Sequence, residues 1–322
     1  MSAHAAMAET ELSIVVPTRD TAALTLACLS SIDRARGALA IEVIVVDDAS
    51  GDDTATRIAS AYPAARLLRH DAPRGFTVTA NDGLAAATGP LLLLLNSDTE
   101  IEPGGLDALV DAFATDPALG IAGAQLRDPD GAAQWSGGRL PDCLWLFVEA
   151  SGAGRLLARL PVYRRARPLD GDVDRDVEWV CGAALAMRRD VWTAIGPLDE
   201  AFALYGQDLD LCSRARQAGC RIRVLHGFAV RHHHGATVAK VEDSAGAQHA
   251  PKLWTDLRRW AGKTYGPAYA RRATWALSIG GWLRLTGRSI LAPAVRGAKR
   301  ARWSGESREL RAALAALRGH AS

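Results

Sequence analysis

Short apolar runs alternate with amphipathic segments along the first two thirds of the chain. Five runs rich in Val, Ile, Leu or Ala are typical of buried strands. They span residues 12–16, 41–46, 65–68, 91–95 and 120–125. Apolar side chains at helical spacing lie between them, over residues 21–32, 77–87 and 106–114. Strands alternating with helices predict an α/β fold with a mostly parallel sheet covered on both faces.

The pattern is less regular after residue 127 and resumes at residue 177. Residues 177–187 predict a pair of strands with Gly182 at a close approach, and residues 208–218 predict a helix. The end of the chain looks largely helical, with breaks at Gly266-Pro267 and near Pro293. We therefore expect an α/β domain over residues 1–250 and a helical C-terminal extension over residues 251–322.

The composition fits a globular protein whose charge is unevenly distributed. Of its 322 residues, 48% are hydrophobic and 23% are charged, so a sizeable core can be buried. From Leu257 onward there are 14 Lys and Arg but only two acidic residues, which leaves 24 basic and 34 acidic residues before it. An acidic body with a basic tail predicts an anionic partner for the tail, such as a membrane surface or nucleic acid.

Cysteine usage and the N-terminus favour a cytoplasmic protein. The five cysteines lack CxxC spacing, which indicates neither a zinc site nor a disulfide framework. The first residues lack the basic and then apolar pattern of a secretory signal. No apolar run approaches the ~18 residues that a spanning helix needs.

The C-terminal extension holds five of the nine tryptophans, among many arginines. Trp275, Ile279 and Trp282 follow helical spacing, and a face of this composition suits a helix lying on anionic lipid. The same residues would equally suit a helical cap that packs on the first domain. Both interpretations stay open, and the first would add peripheral attachment to the inner face of the plasma membrane.

Polar side chains cluster where the predicted strands end. Asp47 and Asp48 follow the second strand, and Asn96, Ser97 and Asp98 follow the leucine run. In parallel sheets ligands bind beyond these ends, where a carboxylate can accept a hydrogen bond from a nucleoside. Mg²⁺ or Mn²⁺ commonly takes one or two carboxylates plus phosphate oxygens, so Asp98 alone could anchor a metal-bound diphosphate. Each acid could instead cap a helix or start a turn.

A run of histidines adds candidate metal ligands. On a strand, His232 and His234 would point to one face and His233 to the other. Either member of the first pair could complete a metal site as a neutral imidazole. The alternatives are a polar surface cluster or a zinc site with no thiolate partners.

Two carboxylates open the helix predicted near residue 208. Asp208 and Asp210 would not share a helix face, so one can face a site while the other caps the helix or pairs with Arg214. A lone carboxylate suits general-base activation of a hydroxyl group. Acids at helix N-termini are, however, often structural.

The ordered motifs resemble bacterial family 2 glycosyltransferases, most closely the rhamnosyltransferase-like branch of cell-surface polysaccharide assembly. They are VVPTRD, IVVDDASGDDT, RGFTVTANDGLAAATG, LLLLLNSDTEIEPG, WVCGAALAM with QDLDLCSRARQAG, and VRHHHGAT, and together they cover roughly residues 12–237. The resemblance implies a GT-A fold, an inverting single displacement and a divalent metal, Mg or Mn. It also implies a nucleotide-diphosphate-sugar donor, with rhamnose as a candidate sugar, and a saccharide or lipid-linked acceptor.

The resemblance further implies a role for individual residues. Asp208 corresponds to the catalytic base, Asp98 to the last acid of a DXD-type metal motif, and His232, with His234 as a second candidate, to a late metal-site histidine. The implied nucleotide-sugar-binding residues are Pro17, Thr18, Arg19, Asp47, Asp48 and Asn96. Further candidates for the same site are Ser97, Arg74, Gly75 and Asn81, of which the last three could as easily be turn and packing residues. Near the donor sugar or acceptor would lie Trp179, Gly182, Asp199 and Gln207.

Two positions depart from the family pattern. Gln207 stands where relatives commonly have Glu, and Pro73-Arg74-Gly75 stands where relatives often have Asn-x-Gly. A catalytically inactive nucleotide-sugar-binding relative is therefore one alternative. A nucleotidyltransferase on a similar sheet is another, although no Gly-rich basic loop follows the first strand.

Two further classes fit the sequence less well. The first strand is followed by PTRDT, whereas a dinucleotide oxidoreductase would require GxGxxG there. A nucleic-acid-binding module would explain the basic tail but not the acidic strand ends. We therefore expect no nucleic-acid partner.

Overall fold

The computed structural model describes residues 10–157, 173–202, 205–233, 249–292 and 296–319. Its strands are β1 Leu12–Thr18, β2 Ile41–Asp47, β3 Arg66–Arg69, β4 Leu91–Leu95, β5 Thr99–Ile101, β6 Leu119–Arg127, β7 Gly137–Gly138, β8 Arg175–Val177, β9 Trp179–Val180, β10 Ala184–Arg188 and β11 Arg221–His232. Its helices are α1 Ala22–Ala35, α2 Thr54–Ala61, α3 Phe76–Ala86, α4 Gly105–Thr115, α5 Cys143–Ser151, α6 Gly154–Leu157, α7 Arg189–Ile195, α8 Gln207–Gln217, α9 His249–Tyr265, α10 Pro267–Leu291 and α11 Gly297–Gly319.

A nine-stranded sheet has the order β3-β2-β1-β4-β10-β6-β11-β5, with β8 beside β11. Strands β1 to β4 pair in parallel, as do β6 and β11. Strand β10 is antiparallel to both its neighbours, and β5 and β8 are antiparallel to β11. The α/β class is confirmed, but the sheet is more mixed than the sequence predicts. Apolar runs report burial and carry no information on strand direction.

Both faces of the sheet are buried, as the apolar runs predict. Along β1, Val15 packs into one hydrophobic cluster, whereas Ile14 and Val16 pack into another. The first cluster includes side chains of α3, α8 and the C-terminal helices, and the second includes side chains of α1 and α4. Helices therefore cover both faces and leave the strand ends for ligands.

The carboxyl ends of β1, β2, β4 and β11 meet along one edge of the sheet. The strand register pairs Thr18 with Asp47, and β4 ends directly before Asn96. Strand β5 pairs with the end of β11 so that His232 lies opposite Thr99, next to Asp98. Strand pairing thus brings together polar residues from four separate segments of sequence.

The C-terminal helices pack on the α/β domain. Trp260 of α9 is fully buried in the same cluster as Leu211 and Cys212 of α8, and its Nε1 donates to Ser213 Oγ at 3.1 Å. The predicted helix break occurs at Gly266, whose φ is 88°. The inner face of the extension therefore belongs to the protein core. Among the described helices, none combines the length and apolarity needed to cross a membrane.

Candidate active site

Asp47 is the last residue of β2 and is held by the turn that follows it. The residue is fully buried, and its Oδ1 accepts hydrogen bonds from the N–H of Ser50, at 3.1 Å, and from the Ser50 hydroxyl. Its Oδ2 lies 3.2 Å from Arg69 Nε. The adjacent Thr18 is also buried, with its Oγ1 2.7 Å from Thr25 Oγ1. This part of the edge is therefore rigid.

Pro17 and Arg19 flank Thr18 at the same edge. Pro17 is buried within β1, whereas Arg19 is half-buried, with its Nε 3.7 Å from Asp20 Oδ2. Asp20 in turn accepts a hydrogen bond from the N–H of Gly51 at 2.7 Å. The loops after β1 and β2 are thus linked, and Arg19 lies at their surface.

Asp48 organises the loop that leads into α3. Its carboxylate accepts hydrogen bonds from the N–H groups of Arg74, at 2.7 Å, and Gly75, at 2.9 Å, and contacts His70 Nδ1 at 2.9 Å. Burial acts to raise the pKa of Asp48, but these hydrogen bonds outweigh it and hold the pKa below its usual range. The Arg74 guanidinium is directed to Asp82, at 2.7 Å. Asp48 therefore shapes the backbone at Arg74 and Gly75.

Asn81 and Asp199 hold the loop after α7. The Asn81 amide donates to the Leu198 carbonyl and accepts from the Leu198 N–H, both at 2.9 Å. Asp199 Oδ2 lies 2.7 Å from Lys263 Nζ of α9, and the pKa of Asp199 is lowered because this ion pair and the Ala201 N–H outweigh the effect of burial. Both ends of the Asn81 amide are thus engaged with the protein, and its contact with the donor stays a prediction.

Asp98 and His232 face each other at the rim of the sheet. Both are buried, and Asp98 Oδ1 lies 3.6 Å from His232 Nε2. Next to them, Asn96 Oδ1 is a buried acceptor to which no described residue donates a hydrogen bond. Ser97 Oγ lies 3.3 Å from Thr21 Oγ1.

The other two histidines of the run are His233 and His234, and the structure describes only the first of them. His233 points away from Asp98, as strand alternation predicts, and its Nε2 contacts Glu100 at 2.9 Å. His234 lies outside the described residues. Of the two candidate metal ligands, His232 and His234, the structure therefore describes only His232.

The residues around Asp98 fit a divalent ion. Carboxylate and amide oxygens with one imidazole nitrogen are a donor set that Mg²⁺ or Mn²⁺ accepts. Within the described ranges, no group of three or more His, Cys, Asp or Glu side chains is arranged to hold a metal. The protein would therefore supply few ligands, and diphosphate oxygens and water would supply the others.

Asp208 lies in the first turn of α8. Its Oδ2 accepts a hydrogen bond from the N–H of Gly182 at 3.2 Å, and its Oδ1 accepts one from the N–H of Leu209 at 2.8 Å. Burial raises the pKa of Asp208, and these hydrogen bonds oppose the shift without cancelling it. Asp210 pairs instead with Arg214, at 2.9 Å. The two acids thus separate into a candidate base and a structural ion pair.

A cavity of about 450 Å³ opens beside Asp208. Aromatic and aliphatic side chains form most of its wall, among them Trp135, Trp145, Trp179, Trp254, Leu257 and Leu310. Trp135 and Trp179 meet edge to face with ring centroids 4.9 Å apart. Gln207 lines the cavity too, so two of the predicted acceptor-site residues lie here with the candidate base.

Sequence reasoning missed several residues of the site. Trp135 and Trp145 lie in the irregular middle of the chain, and Trp254 lies in the extension. Their signal was available, since tryptophans close to a cluster of polar residues are candidate binding groups. Gln134, whose Oε1 contacts His232 Nδ1 at 2.9 Å, carries no pattern that marks it in the sequence.

The fold and the arrangement of this edge define the class of protein. The structure is similar to a mannosyltransferase from Pyrobaculum calidifontis solved with GDP-Man and Mn²⁺, with a TM-score of 0.56, 17% identity and coverage of 97% of this chain and 86% of that one. It is also similar to GalNAc-T7 solved with UDP, GalNAc and Mn²⁺, with a TM-score of 0.52, 15% identity and coverage of 70% and 44%. The protein has the GT-A fold of these glycosyltransferases.

The family model for glycosyl transferase family 2 matches residues 13–191, and the chain belongs to this family. It is therefore a glycosyltransferase, as the motifs predict. The chain is 28% identical over 246 residues to an N-acetylglucosaminyl-diphospho-decaprenol L-rhamnosyltransferase from Mycobacterium tuberculosis, which covers 67% of this chain and 79% of that protein. It is 29% identical over 233 residues to the O-antigen biosynthesis protein RfbC from Myxococcus xanthus, which covers 70% of this chain and 18% of that protein.

Proposed function

We propose that the protein is an inverting glycosyltransferase that moves a sugar from a nucleotide-diphosphate donor to a saccharide or lipid-linked acceptor in cell-surface polysaccharide synthesis. The observation that carries the proposal is Asp208, a half-buried carboxyl with a raised pKa beside a cavity of about 450 Å³. The rhamnosyltransferase and O-antigen relatives support polysaccharide synthesis, with rhamnose as the candidate sugar.

Asp208 acts as the general base. Its carboxylate takes the proton of the acceptor hydroxyl while the hydroxyl oxygen attacks the anomeric carbon of the donor. The new carbon–oxygen bond forms on the face opposite the breaking one, and the nucleotide diphosphate leaves with the electrons of the broken bond. A raised pKa makes Asp208 a stronger base than an exposed carboxylate, and general-base catalysis contributes about 10²–10⁴-fold to a rate.

Asp98 and His232, with the buried oxygen of Asn96, would hold the divalent ion. The ion supplies positive charge that stabilises the departing diphosphate. Thr18, Arg19 and Ser97 line the adjacent edge, where the nucleoside would bind beyond the strand ends. Asp47 and Asp48 contribute by fixing the two turns that border this edge.

The cavity beside Asp208 is the proposed acceptor site. Aromatic rings such as Trp179 and Trp135 offer flat apolar faces against which a sugar ring or an apolar chain can pack. The C-terminal helices contribute Trp254, Leu257 and Leu310 to its wall. The extension is therefore proposed to help bind the acceptor.

The outer face of α10 is a proposed membrane-contact surface. Trp275, Ile279 and Trp282 expose 69%, 56% and 47% of their surface, on one stripe of the helix. Exposed arginines of the same extension, such as Arg271 and Arg272, would favour anionic lipid. A lipid-linked acceptor would make such contact useful.

Vesicle flotation tests the membrane proposal. Wild-type protein should float with vesicles that contain anionic lipid and less with neutral vesicles, and the Trp275→Ser, Trp282→Ser double variant should lose most of this binding. The control is Val173→Ser, which also removes an exposed apolar side chain, 69% exposed, but outside the extension. Equal flotation of all three proteins would contradict the surface assignment.

A donor screen tests the proposed reaction. Purified protein is incubated with UDP-, GDP- and dTDP-sugars and a saccharide or lipid-linked acceptor, with Mn²⁺, Mg²⁺ or chelator, and released nucleotide diphosphate is measured. We expect metal-dependent release with one donor class. A nucleotidyltransferase would instead release pyrophosphate from a nucleoside triphosphate and a sugar phosphate. An inactive relative would show a thermal shift with the donor but no release.

A further inference from the structure

Gln134 contacts His232 through both ends of its amide. Its Oε1 lies 2.9 Å from His232 Nδ1, and its Nε2 donates to the His232 carbonyl oxygen at 2.8 Å. The same Nε2 donates to Asp128 Oδ1 at 2.5 Å. One side chain therefore holds both the ring and the backbone of His232.

These contacts determine which way the amide points. Its Nε2 faces a carbonyl oxygen and a carboxylate oxygen, both of which only accept hydrogen bonds. The flipped amide would place its own oxygen against these two acceptors, which repel it. Oε1 must therefore face the imidazole.

The amide orientation in turn determines the proton position on His232. An amide oxygen only accepts, so His232 Nδ1 must carry a proton to form the 2.9 Å contact. In a neutral imidazole with the proton on Nδ1, the other nitrogen has a lone pair. That nitrogen, Nε2, is the atom that lies 3.6 Å from Asp98 Oδ1.

A short hairpin beyond β6 holds Gln134 in place. The Gln134 N–H donates to the Leu126 carbonyl at 2.9 Å, and the Asp128 N–H donates to the Ala132 carbonyl at 2.7 Å. The turn passes through Gly131, whose φ of 89° favours glycine. The position of the amide is thus set before any ligand binds.

We propose that Gln134 is a positioning residue that keeps a proton on His232 Nδ1, so that Nε2, the nitrogen that faces Asp98, is the one left to bind the ion. The proposal rests on the proposed metal-binding role of Asp98 and His232. Partners of this kind orient ligating histidines and fix their tautomer, and their loss costs about 10–100-fold in metal affinity. His232 would thus be ready to bind the ion without rearrangement.

The tautomer can be measured in metal-free protein. Long-range ¹H–¹⁵N correlation spectra separate the two neutral tautomers and the imidazolium, and the His232→Asn variant identifies the relevant signals. We expect the Nδ1–H tautomer in the wild type and its loss in Gln134→Leu. An Nε2–H tautomer of the neutral ring in the wild type would overturn the proposal.

Metal binding supplies a second readout. We expect Gln134→Leu to bind Mn²⁺ about 10–100-fold more weakly than the wild type, with a weaker imidazole-nitrogen coupling in the electron spin echo of bound Mn²⁺. The matched control is Gln217→Leu, the same change on the exposed surface of α8, which should bind as the wild type does.

The outcomes separate this proposal from the proposed function. Equal Mn²⁺ affinity in Gln134→Leu and wild type, with both folded, would overturn the role of Gln134 while donor turnover stands. Wild-type protein that releases no nucleotide diphosphate and binds no Mn²⁺ would overturn the proposed metal site, and the role of Gln134 with it.

Discussion

The proposed donor edge and the proposed acceptor cavity of this glycosyltransferase are built in different ways. At the donor edge, the carboxylates of Asp47 and Asp48 are held by residues at most 27 positions away in the sequence, such as Ser50 and Gly75, whereas Asp98 faces His232 of a strand distant in the sequence. The cavity is formed by Trp135, Trp179 and Trp254, which come from three distant segments. Local motifs therefore specify the turns at Asp47 and Asp48 and strand pairing adds His232, whereas tertiary packing of the C-terminal helices forms much of the cavity. We infer that acceptor preference can change without disturbing donor chemistry.

The largest stability effect should come from the packing of the extension. Trp260 is fully buried against α8, and Trp260→Ala should lower the free energy of unfolding by about 3–5 kcal/mol. Because Trp260 of the extension and α8 of the α/β domain share one hydrophobic cluster, we expect the two parts to unfold in one transition. Chemical denaturation followed by fluorescence and circular dichroism checks both expectations.

Trp275→Ala is the matched control for that experiment. Trp275 is 69% exposed on α10, so its loss should change the unfolding free energy by less than about 0.5 kcal/mol. Two separate transitions in the wild type, with only the second sensitive to Trp260→Ala, would show that the extension is independent of the site.

A smaller effect is expected at the donor edge from Asp48→Asn. The carboxylate accepts hydrogen bonds from the N–H groups of Arg74 and Gly75, and losing such charged hydrogen bonds costs about 1.5–3 kcal/mol. Because the folded pKa of Asp48 is lowered, its stabilisation is full above the ordinary Asp pKa of about 4 and is lost as the pH falls through the folded pKa.

Unfolding curves at several pH values check this prediction. The variant should be less stable than the wild type at pH 7, and the difference should shrink on acidification. Asp111→Asn, an exposed substitution on α4, should have little effect at either pH. A difference for Asp48→Asn that grows on acidification would contradict the assigned sign.

The sequence predicts the strand ends well, but it does not predict contacts between residues that are far apart in the chain. The strands that end at Thr18, Asp47 and Leu95 follow from apolar runs and polar strand ends, as does the position of Asp98 at the rim. The antiparallel direction of β10 and the contact of Asn81 with Leu198 could not be predicted, because both depend on partners far away in sequence. Asn81 bonds to Leu198, 117 residues later, and no local pattern encodes that contact.

The smallest effect should come from the ion pairs that join the extension to the loop after α7. Lys263 Nζ lies 2.7 Å from both Asp199 Oδ2 and Asp210 Oδ1. The lysine is partly exposed, so Lys263→Met should cost only about 1 kcal/mol of unfolding free energy, and less at high salt. Lys252→Met, exposed on the same helix, is the control. A loss as large as that of Trp260→Ala would show that charge, and not packing, holds the extension.

The proposed reaction depends most on Asp208 as the base. In Asp208→Asn, turnover should fall by about 10²–10⁴-fold, while the affinity for the donor nucleotide should stay near the wild-type value, because the nucleotide is proposed to bind at the strand ends around Asp98. The melting temperature should not fall, because the raised pKa of Asp208 means that its ionised form destabilises the fold as the pH rises. Turnover and nucleotide affinity, both measured on the same preparation of Asp208→Asn, test this prediction. Near-normal turnover in folded Asp208→Asn would contradict the central claim.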